Sequence, residues 1–328
     1  MRIALLTTSY PDKRGDAAGH FVETEATQLA AQGHCVEVIA PGARSDCQQR
    51  GSITIWRAGG SSLFGSPGAL NRATENPLRL LQLFSFGPGV RRLLSALAPF
   101  DRAIAHFVVP CGYPLALGLG CELEVVLHGS DVRLVLALPS AVRHHIARRL
   151  LAANARFRFS AEDLRSSFLR SLAPGERDQV RGASRVELPA LALPSSLECA
   201  RSRPAGALPR WVYCGRLIAS KRVDLAIREA ARHGAHLTVI GDGPLRTHLE
   251  KLAASFETPV QFVGQLSRDE ALGRIARANR LVHLSEAEGA PTVVREARAL
   301  GVPVLATPVG DVHRWAAVDP GIEIFRPA

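Results

Sequence analysis

The sequence predicts an α/β protein of two lobes, and three observations support this prediction. Its 328 residues are enough for two compact domains, because single domains usually hold about 100 to 200 residues. Short apolar segments alternate with helical patterns along most of the chain, which is typical of parallel sheets covered by helices. The alternation stops between residues 183 and 209, where four prolines prevent a continuous helix. We therefore predict an N-terminal domain over residues 1–188, a linker over 189–209 and a shortened C-terminal domain over 210–328.

The periodicity of apolar residues places the elements of each lobe. In the first lobe we predict strands over Arg2–Thr8, Val36–Ala40, Ile53–Ala58, Arg102–Phe107, Glu124–His128 and Arg156–Ser160, and helices over Val22–Gln32, Leu78–Leu97, Ala141–Ala152 and Ala161–Ser171. In the second lobe we predict strands over Trp211–Gly215, His236–Gly241, Val260–Gly264, Arg280–Ser285 and Pro303–Thr307, and helices over Val223–His233, Pro244–Ser255, Ser267–Ala278 and Pro291–Leu300. Both lobes are expected to be Rossmann-like, with parallel sheets facing a central cleft. Since such sheets bind ligands at the carboxyl ends of their strands, residues just after strands carry the functional information.

Composition and motifs exclude several classes of protein. Hydrophobic residues make up 47 % of the chain and charged residues 21 %, as in ordinary soluble globular proteins. The N-terminus lacks the features of a signal peptide, and the longest apolar stretch is shorter than the roughly 20 residues of a membrane span. The six cysteines include no Cys-x-x-Cys pair, so neither a zinc site nor a disulfide framework is expected. These features predict a cytoplasmic protein with reduced thiols.

The chain is strongly basic. Its formal net charge is +10, and only three of its 40 basic residues are lysine. The basic residues are spread along the whole sequence without a nucleic-acid-binding motif, so no nucleic-acid partner is expected. A basic cluster over residues 143–149 is compatible with an anionic membrane surface, although a solvated helix face is the simpler interpretation. Peripheral attachment to the inner face of the cytoplasmic membrane is therefore a second expectation.

Two carboxylates, Glu288 and Glu296, flank the start of a predicted helix. They invite comparison with the acid and base of a glycosidase, whose carboxyl groups lie about 5 to 9.5 Å apart. With Pro291 at the first helical position, eight residues at helical rise would separate the two carboxylates by roughly 12 Å. This spacing suits the two ends of one elongated ligand better than an acid and base pair.

The helix start between the two carboxylates predicts an anion site. Backbone amides around Thr292, Val293 and Val294 would project from a helix N-terminus with a positive partial charge, which favours a diphosphate. Carboxylates accept hydrogen bonds from vicinal sugar hydroxyls. The pattern therefore favours a nucleoside diphosphate sugar, with the ribose at one glutamate and the transferred sugar at the other. The alternative is a loop and a helix that each carry a surface glutamate.

The run Ser285–Glu296, continued by Gly301–Thr307, resembles the retaining GT-B glycosyltransferases of family 4. That family carries Glu-Gly-x-Pro and a second glutamate after seven intervening residues. The resemblance implies that Glu288 is catalytic and contacts the donor sugar, and that Glu296 binds the ribose. It also implies donor contacts along the turn formed by Gly289, Ala290, Pro291, Thr292 and Val293.

The same family begins its second lobe with Gly-Arg-Leu and a lysine a few residues later, matched here by Gly215-Arg216-Leu217 and Lys221. Two cations at the carboxyl end of a strand can neutralise a diphosphate and stabilise it as it leaves. We therefore predict that Arg216 and Lys221 bind the donor. Gly241, in Gly241-Asp242-Gly243-Pro244, is a further donor-binding candidate, although a glycine turn there can be purely structural.

In the first lobe, Gly19 precedes a helix and would let the backbone approach the donor phosphate from the opposite lobe. The segments His128-Gly-Ser-Asp131 and His106–Gly112 resemble family members that build bacterial exopolysaccharides and other cell-surface glycans. This resemblance makes His128 a second catalytic candidate, and His106 and Asp131 candidates for acceptor contacts. Asp131 can hold acceptor hydroxyls or cap the next segment, and the sequence does not choose between them.

The predicted reaction uses no cofactor and no metal, because no Asp-x-Asp occurs in the chain. A retaining transferase is expected to use a nucleoside-diphosphate sugar as donor and a glycan or lipid-linked acceptor. Two departures from the family keep alternatives open. An Asn-Gly-Val-Asp-like stretch is replaced by Glu187–Leu191, and the helices that close the second lobe in relatives are absent after Phe325. The alternatives are a sugar-nucleotide epimerase of the same architecture and a nucleotide-sugar-binding module with little transfer activity.

Overall fold

A computed structural model of the chain describes residues 1–12, 16, 19–42, 46–60, 63–64, 72, 76–193 and 208–326. The chain divides into two compact units, Met1–Ala190 and Leu191–Ala328, and each unit has its own sheet. Of the linker predicted over 189–209, residues 194–207 lie outside the described part of the chain.

The first unit contains, in its described residues, an eight-stranded sheet in the order β3-β4-β2-β1-β5-β6-β7-β8. Strand β3 is antiparallel to β4, and the other neighbouring strands are parallel. The strands are β1 Arg2–Leu6, β2 Cys35–Gly42, β3 Cys47–Arg50, β4 Ile53–Gly60, β5 Arg102–His106, β6 Glu122–Leu127, β7 Arg156–Phe159 and β8 Ser184–Val186. The α-helices are α1 His20–Ala31, α2 Leu83–Leu97, α3 Ser130–Ala137, α4 Ser140–Ala152, α5 Glu162–Arg170 and α6 Pro174–Gly182.

The second unit contains, over residues 208–326, a six-stranded parallel sheet in the order β11-β10-β9-β12-β13-β14. Its strands are β9 Arg210–Cys214, β10 His236–Ile240, β11 Val260–Gly264, β12 Arg280–His283, β13 Val304–Ala306 and β14 Ile322–Ile324. Its α-helices are α7 Val223–Arg232, α8 Arg246–Ala253, α9 Arg268–Ala276, α10 Thr292–Ala299 and α11 Val312–Ala316. Counted within the unit, this order is 3-2-1-4-5-6, the doubly wound order of dinucleotide-binding sheets.

Two apolar cores hold the second sheet between layers of helices. On one face, Ile227 of α7 and Leu249 of α8 pack against the sheet. On the other face, Ile275 of α9 and Val294 of α10 do the same. Each fully buried aliphatic side chain of this kind contributes about 1.5–3 kcal/mol through the hydrophobic effect. The α/β class and the two parallel-sheet lobes predicted from the sequence are confirmed.

Two local predictions differ from the structure. The helix predicted over Leu78–Leu97 begins as a 3₁₀ segment, Pro77–Gln82, and becomes α-helical only at Leu83. The amide of Arg79 donates to the carbonyl of Asn76 at 3.0 Å, which is the tighter hydrogen bond of a 3₁₀ turn. Pro291 was expected at the first helical position, whereas α10 begins at Thr292 and Pro291 lies just before it with an extended ψ of 114°.

Candidate functional site

The strand order makes the carboxyl ends of β9 and β12 the expected position of a ligand site in the second unit. These strands are neighbours, but the chain leaves them toward opposite sides of the sheet, which opens a crevice at their carboxyl ends. The segment after β9 contains Arg216 and Lys221, and the segment after β12 contains Glu288. A hydrogen bond of 2.8 Å from the Glu286 amide to the Ser220 carbonyl joins the two segments. The structure thus brings together the predicted residues of both motifs.

Glu288 is held at this crevice by two partners. Its Oε1 atom pairs with the ammonium group of Lys221 and lies 3.0 Å from Nε2 of His283. Burial alone would raise the pKa of the Glu288 carboxyl, but the His283 hydrogen bond and the Lys221 charge outweigh burial and hold that pKa far below its usual range. Glu288 is therefore a carboxylate at neutral pH, fixed in position and able to accept further hydrogen bonds.

The turn after Glu288 is braced by the loop that follows β13. The amide of Asp311 donates to the carbonyl of Gly289 at 2.9 Å. Gly310, with a φ of +56°, lies so close that a Cβ atom would be 2.1 Å from the Gly289 carbonyl oxygen. A residue with a side chain at position 310 would therefore displace the turn that carries Gly289 and Ala290 into the start of α10.

At the first turn of α10, the backbone amides of Thr292 and Val293 differ from those of the next two residues. The amides of Val294 and Arg295 donate to the Pro291 carbonyl at 3.2 and 3.4 Å. Among the backbone hydrogen bonds of the described residues, none is donated by Thr292 or Val293. Amides of this kind at a helix start are suited to bind an anion, since the helix dipole adds a positive partial charge. The Val294 amide, counted in the sequence-based prediction, is instead used inside the turn.

Glu296, the second predicted carboxylate, lies inside α10 in a separate environment. Its side chain is largely buried and accepts a hydrogen bond of 2.7 Å from the guanidinium group of Arg268. Burial and the nearby Glu296 charge raise the pKa of the Cys214 thiol to about 12, which places Glu296 near the end of β9. Each of the two glutamates therefore has its own cation, and the structure shows no acid and base pair between them.

Gly241 has a packing role that the structure makes plain. It has a φ of +128°, and a Cβ atom there would lie 1.9 Å from the carbonyl oxygen of Gly215. The next residue, Asp242, accepts a hydrogen bond of 3.0 Å from the amide of Leu217. The loop after β10 thus supports the Gly215–Leu217 turn. Arg216 lies on that turn and is exposed, and its carbonyl accepts a 3.0 Å hydrogen bond from the Tyr213 hydroxyl.

In the first unit, the predicted residues also follow the central strands. Gly19 precedes α1 with a φ of +76°, and a Cβ atom there would lie 2.5 Å from the Ser9 carbonyl oxygen, just after β1. His106 ends β5 and His128 follows β6, and Nδ1 of His106 lies 2.9 Å from Nε2 of His128. Burial, with the added effect of the Arg158 charge, lowers the pKa of both imidazoles well below the usual range. Both histidines are therefore neutral at pH 7.

Asp131 makes a capping contact with backbone amides, and its contact with acceptor hydroxyls stays a prediction. Its Oδ1 atom accepts from the amides of His128 and Gly129 at 3.0 Å each, and Oδ2 accepts from the amide of Val108 at 2.9 Å. Burial raises the pKa of this carboxyl, and the backbone hydrogen bonds partly offset that effect. Asp131 thus holds the turn that carries His128 against the segment after β5.

Replacing Asp131 by asparagine is expected to destabilise the first unit. The amide oxygen can keep two backbone hydrogen bonds, but the amide nitrogen would then face the Val108 donor, and a buried donor without a partner costs about 1–3 kcal/mol. Urea denaturation with hydrogen exchange resolved by unit measures the loss. Asp178→Asn is the matched control, because that side chain is 70 % exposed in an ion pair with Arg181. An equal loss in both variants would contradict the capping role.

Several contacting residues were not predicted from the sequence. His283 and Arg268 touch the two glutamates, and Glu25 of α1 contacts His106. The position of His283 at the end of a strand was an available signal, the same one that singled out His128. Nothing in the sequence marks Arg268 or Glu25. Each lies on a helix, and its contact depends on how that helix packs in the fold.

Two surface cavities lie away from these residues. One of about 720 Å³ lies at the amino-terminal ends of β7 and β8, and one of about 430 Å³ lies beside β13 and β14. Because doubly wound sheets bind ligands at strand carboxyl ends near the strand-order reversal, we place the candidate site at β9 and β12.

Within the described ranges, no cluster of three or more His, Cys, Asp or Glu side chains is arranged to hold a metal ion. None of the helices described has the length and apolarity of a membrane span.

Comparison with known proteins shows which proteins this chain is similar to. Residues 202–315 match the family described as glycosyl transferases group 1. The chain is 26 % identical to a protein of Bacillus subtilis named as a teichuronic acid biosynthesis glycosyltransferase, TuaC, over 95 % of this chain and 82 % of that protein. The family match covers the whole β9 to α10 segment, with Arg216, Lys221, Glu288 and Glu296.

Solved structures share the fold over nearly the full chain. Sucrose-phosphate synthase of Thermosynechococcus elongatus superposes with a TM-score of 0.71 at 21 % identity, covering 99 % of this chain and 86 % of that one. HepE of Anabaena, in complex with UDP and glucose, superposes with a TM-score of 0.62 at 15 % identity, covering 96 % and 82 %. The fold is that of the GT-B glycosyltransferases, and the family match supports a glycosyltransferase.

Proposed function

We propose that this protein is a retaining glycosyltransferase that moves a sugar from a nucleoside-diphosphate sugar to a glycan or lipid-linked acceptor without a metal ion. The observation that carries the proposal is the buried Glu288 carboxylate, held by Lys221 and His283 where β9 and β12 end. A fixed carboxylate can accept hydrogen bonds from sugar hydroxyls, and the neighbouring cation and helix start can bind phosphates.

In this proposal, positively charged groups bind the phosphates of the donor and carboxylates bind its sugars. Lys221 has three N–H donors, so it can keep Glu288 and still bind a phosphate oxygen. The amides of Thr292 and Val293 and the exposed Arg216 add positive charge toward the same anion. Glu288 then accepts hydrogen bonds from the transferred sugar, and Glu296 from the ribose. Gly241 contributes by supporting the turn that carries Arg216.

In this proposal the cations take the role that a metal ion has in other transferases. As the bond between sugar and diphosphate breaks, negative charge grows on the leaving phosphate, and prearranged donors stabilise it. In a retaining enzyme of this kind the acceptor attacks from the face that the diphosphate leaves, and the phosphate helps to remove the proton. The motifs that resemble retaining family 4 enzymes are the support for this stereochemistry.

The acceptor is proposed from relatives and not from a site in this chain. The named role of TuaC in teichuronic acid biosynthesis favours a cell-surface glycan or its lipid-linked precursor.

Attachment to an anionic membrane face would depend on Arg148 and Arg149, which are exposed. Arg143 instead donates to the carbonyls of Leu136 and Leu138. Flotation with vesicles of anionic or neutral lipid tests the attachment.

A panel of UDP-, GDP-, ADP- and dTDP-sugars, incubated with and without acceptor, tests the proposal. Nucleoside diphosphate released only with acceptor, at the same rate in EDTA, is the expected result. NMR of the product should show the anomeric configuration of the donor. Interconversion of the sugars without an acceptor would point to an epimerase, and tight binding without turnover to a binding module. Either outcome would overturn the proposal.

Lys221→Gln is expected to weaken donor binding about 10- to 150-fold, because one charge-assisted hydrogen bond contributes roughly 1.5–3 kcal/mol. Calorimetry with the nucleoside diphosphate measures the change. Lys251→Gln is the control, since Lys251 is an exposed lysine on α8, away from β9 and β12. Unchanged diphosphate affinity in Lys221→Gln would remove this lysine from the donor site.

A further inference from the structure

A line of polar contacts runs inward from His128 in the first unit. His128 is half-buried, and its Nε2 atom lies 2.9 Å from Nδ1 of His106, which is fully buried. The Nε2 atom of His106 lies 3.5 Å from a carboxylate oxygen of Glu25, a longer electrostatic contact. The other oxygen of Glu25 pairs with Arg158 of β7. The outer imidazole is therefore linked through the inner one to a buried ion pair.

The two imidazoles are arranged for an N–H···N hydrogen bond. Their planes differ by only 9°, and their centroids are 5.1 Å apart. With facing nitrogens at 2.9 Å, such rings lie edge to edge in one plane, because face-to-face rings would not bring two ring nitrogens into line. A hydrogen bond of this kind needs one protonated and one unprotonated nitrogen, so the tautomer of one ring fixes that of the other.

The charge of Glu25 decides which way this bond runs. A carboxylate facing Nε2 of His106 favours a proton on that nitrogen and leaves Nδ1 of the same neutral ring as an acceptor. His128 must then donate from Nε2, which leaves its own Nδ1 without a proton. Among the residues that the structure describes, this Nδ1 atom has no hydrogen-bond partner.

We propose that His106 and Glu25 are positioning residues that hold His128 as its Nε2–H tautomer, so that Nδ1 accepts a hydrogen bond from a ligand hydroxyl. That the hydroxyl belongs to a sugar rests on the proposed function. An unprotonated Nδ1 atom requires a ligand group that donates a hydrogen bond, which a hydroxyl can do and an ionised phosphate or carboxylate cannot. The role of His128 is then to orient a hydroxyl, with His106 and Glu25 acting through it.

Burial, and to a smaller extent the charge of Arg158, lowers the pKa of both imidazoles and keeps the pair neutral. Arg158 also contacts Glu124 and Glu187, and Glu124 pairs in turn with Arg102 and Arg185. Within the described residues, the cluster thus holds three carboxylates, including Glu25, and three guanidinium groups. A further positive charge on either imidazole would be placed beside Arg158 in a buried setting, which opposes protonation.

The backbone around the pair holds the geometry. Helix α1 presents Phe21 and Glu25 one turn apart on the same face, and the Phe21 ring lies 4.6 Å from the His128 ring. The Phe107 ring centroid lies 5.0 Å from that of His128 and 6.5 Å from that of Phe21, so the two phenylalanine rings also contact each other. Phe107 has a φ of +76°, a strained conformation for a non-glycine residue that persists where surrounding structure enforces it.

The tautomer can be observed without any activity measurement. Long-range ¹H–¹⁵N spectra of the full chain labelled at histidine, near pH 7.5, distinguish the two ring nitrogens, with the His128 signal assigned from a His128→Gln variant. We expect a single neutral His128 species, protonated at Nε2 and unprotonated at Nδ1. A proton on Nδ1 of His128, or a doubly protonated ring, would overturn the proposal.

Two variants test the role of Glu25. Glu25→Gln keeps the side-chain size but removes the charge that selects the tautomer, so His128 should become a mixture with a clear Nδ1–H population. Glu187→Gln is the matched control, because it also removes a carboxylate from Arg158 but lies away from His106. The same mixture in both variants, or in neither, would refute the proposal. Should Glu25→Gln not fold, His106→Asn interrupts the same path and is expected to give the mixture.

Measurements of transfer activity distinguish this inference from the proposed function. In a panel that shows transfer, Glu25→Gln should lower kcat/KM about tenfold, the equivalent of one hydrogen bond, while Glu187→Gln stays near the wild-type value. The expected tautomer without any transfer would refute the function and leave the positioning role standing. Transfer together with the opposite tautomer would refute the positioning role alone.

Discussion

Glu288→Gln is expected to lower kcat by about 10²–10³-fold, the range seen when one prearranged electrostatic group is removed from an active site. The amide keeps the size of the side chain but loses the negative charge that balances Lys221. His283 would then face an amide instead of a carboxylate. Release of nucleoside diphosphate in the presence of acceptor measures the loss, and circular dichroism checks that the fold is retained.

Glu286→Gln is the control for this prediction. Glu286 lies two residues before Glu288 and pairs with Arg222 at 3.0 Å, but its side chain is 57 % exposed. Surface ion pairs of this kind contribute about 0–1 kcal/mol, so activity and stability should both stay near wild-type values. Full activity in Glu288→Gln would remove the central assignment of the site. Equal losses in both variants would show that the segment responds to any change of charge.

Gly241→Ala should destabilise the second unit by about 3–5 kcal/mol, since it combines a strained backbone with a severe contact. The new Cβ atom would lie 1.9 Å from the Gly215 carbonyl oxygen, and rigid backbone atoms on both sides leave little room to adjust. Urea denaturation with hydrogen exchange resolved by unit measures the change. Donor affinity should fall with it, because the displaced turn carries Arg216.

Gly234→Ala isolates the backbone effect. Gly234 follows α7 with a φ of +58°, and a Cβ atom there meets nothing within 4 Å. Only the left-handed backbone opposes this substitution, at about 1–2 kcal/mol. A loss in Gly241→Ala no greater than that in Gly234→Ala would show that the Gly215 turn moves freely, and would contradict the bracing of the donor segment.

Much of the fold could be predicted from the sequence because each lobe repeats one pattern. Apolar strands such as Val260–Gly264 alternate with amphipathic helices, and the sheets follow. Strand β3 was missed because Cys47–Arg50 carries no apolar periodicity, and its antiparallel pairing with β4 is a property of the sheet edge. The capping of the His128 turn by Asp131 remained open, since a short carboxylate after a strand suits either a ligand or a turn.

The candidate site was predictable in part, for a physical reason. Residues such as Lys221 and Glu288 come just after strands, and parallel strands bring their carboxyl ends together. The pairing of Arg268 with Glu296 depends on how α9 and α10 pack side by side, which no local pattern encodes. The contact from Glu25 to His106 likewise joins a helix to a strand distant in sequence. The roles of these residues in transfer stay predictions.

The contact between Lys221 and Glu288 joins positions 67 residues apart, across the central strand pair of the second unit. Neither half of that unit contains the site, so the ligand-binding arrangement exists only in the cooperatively folded whole. A ligand bound there adds its binding free energy to the folding free energy of the entire unit. Occupancy is therefore coupled to the lifetime of the protein, because unloaded molecules unfold and are degraded more readily than loaded ones.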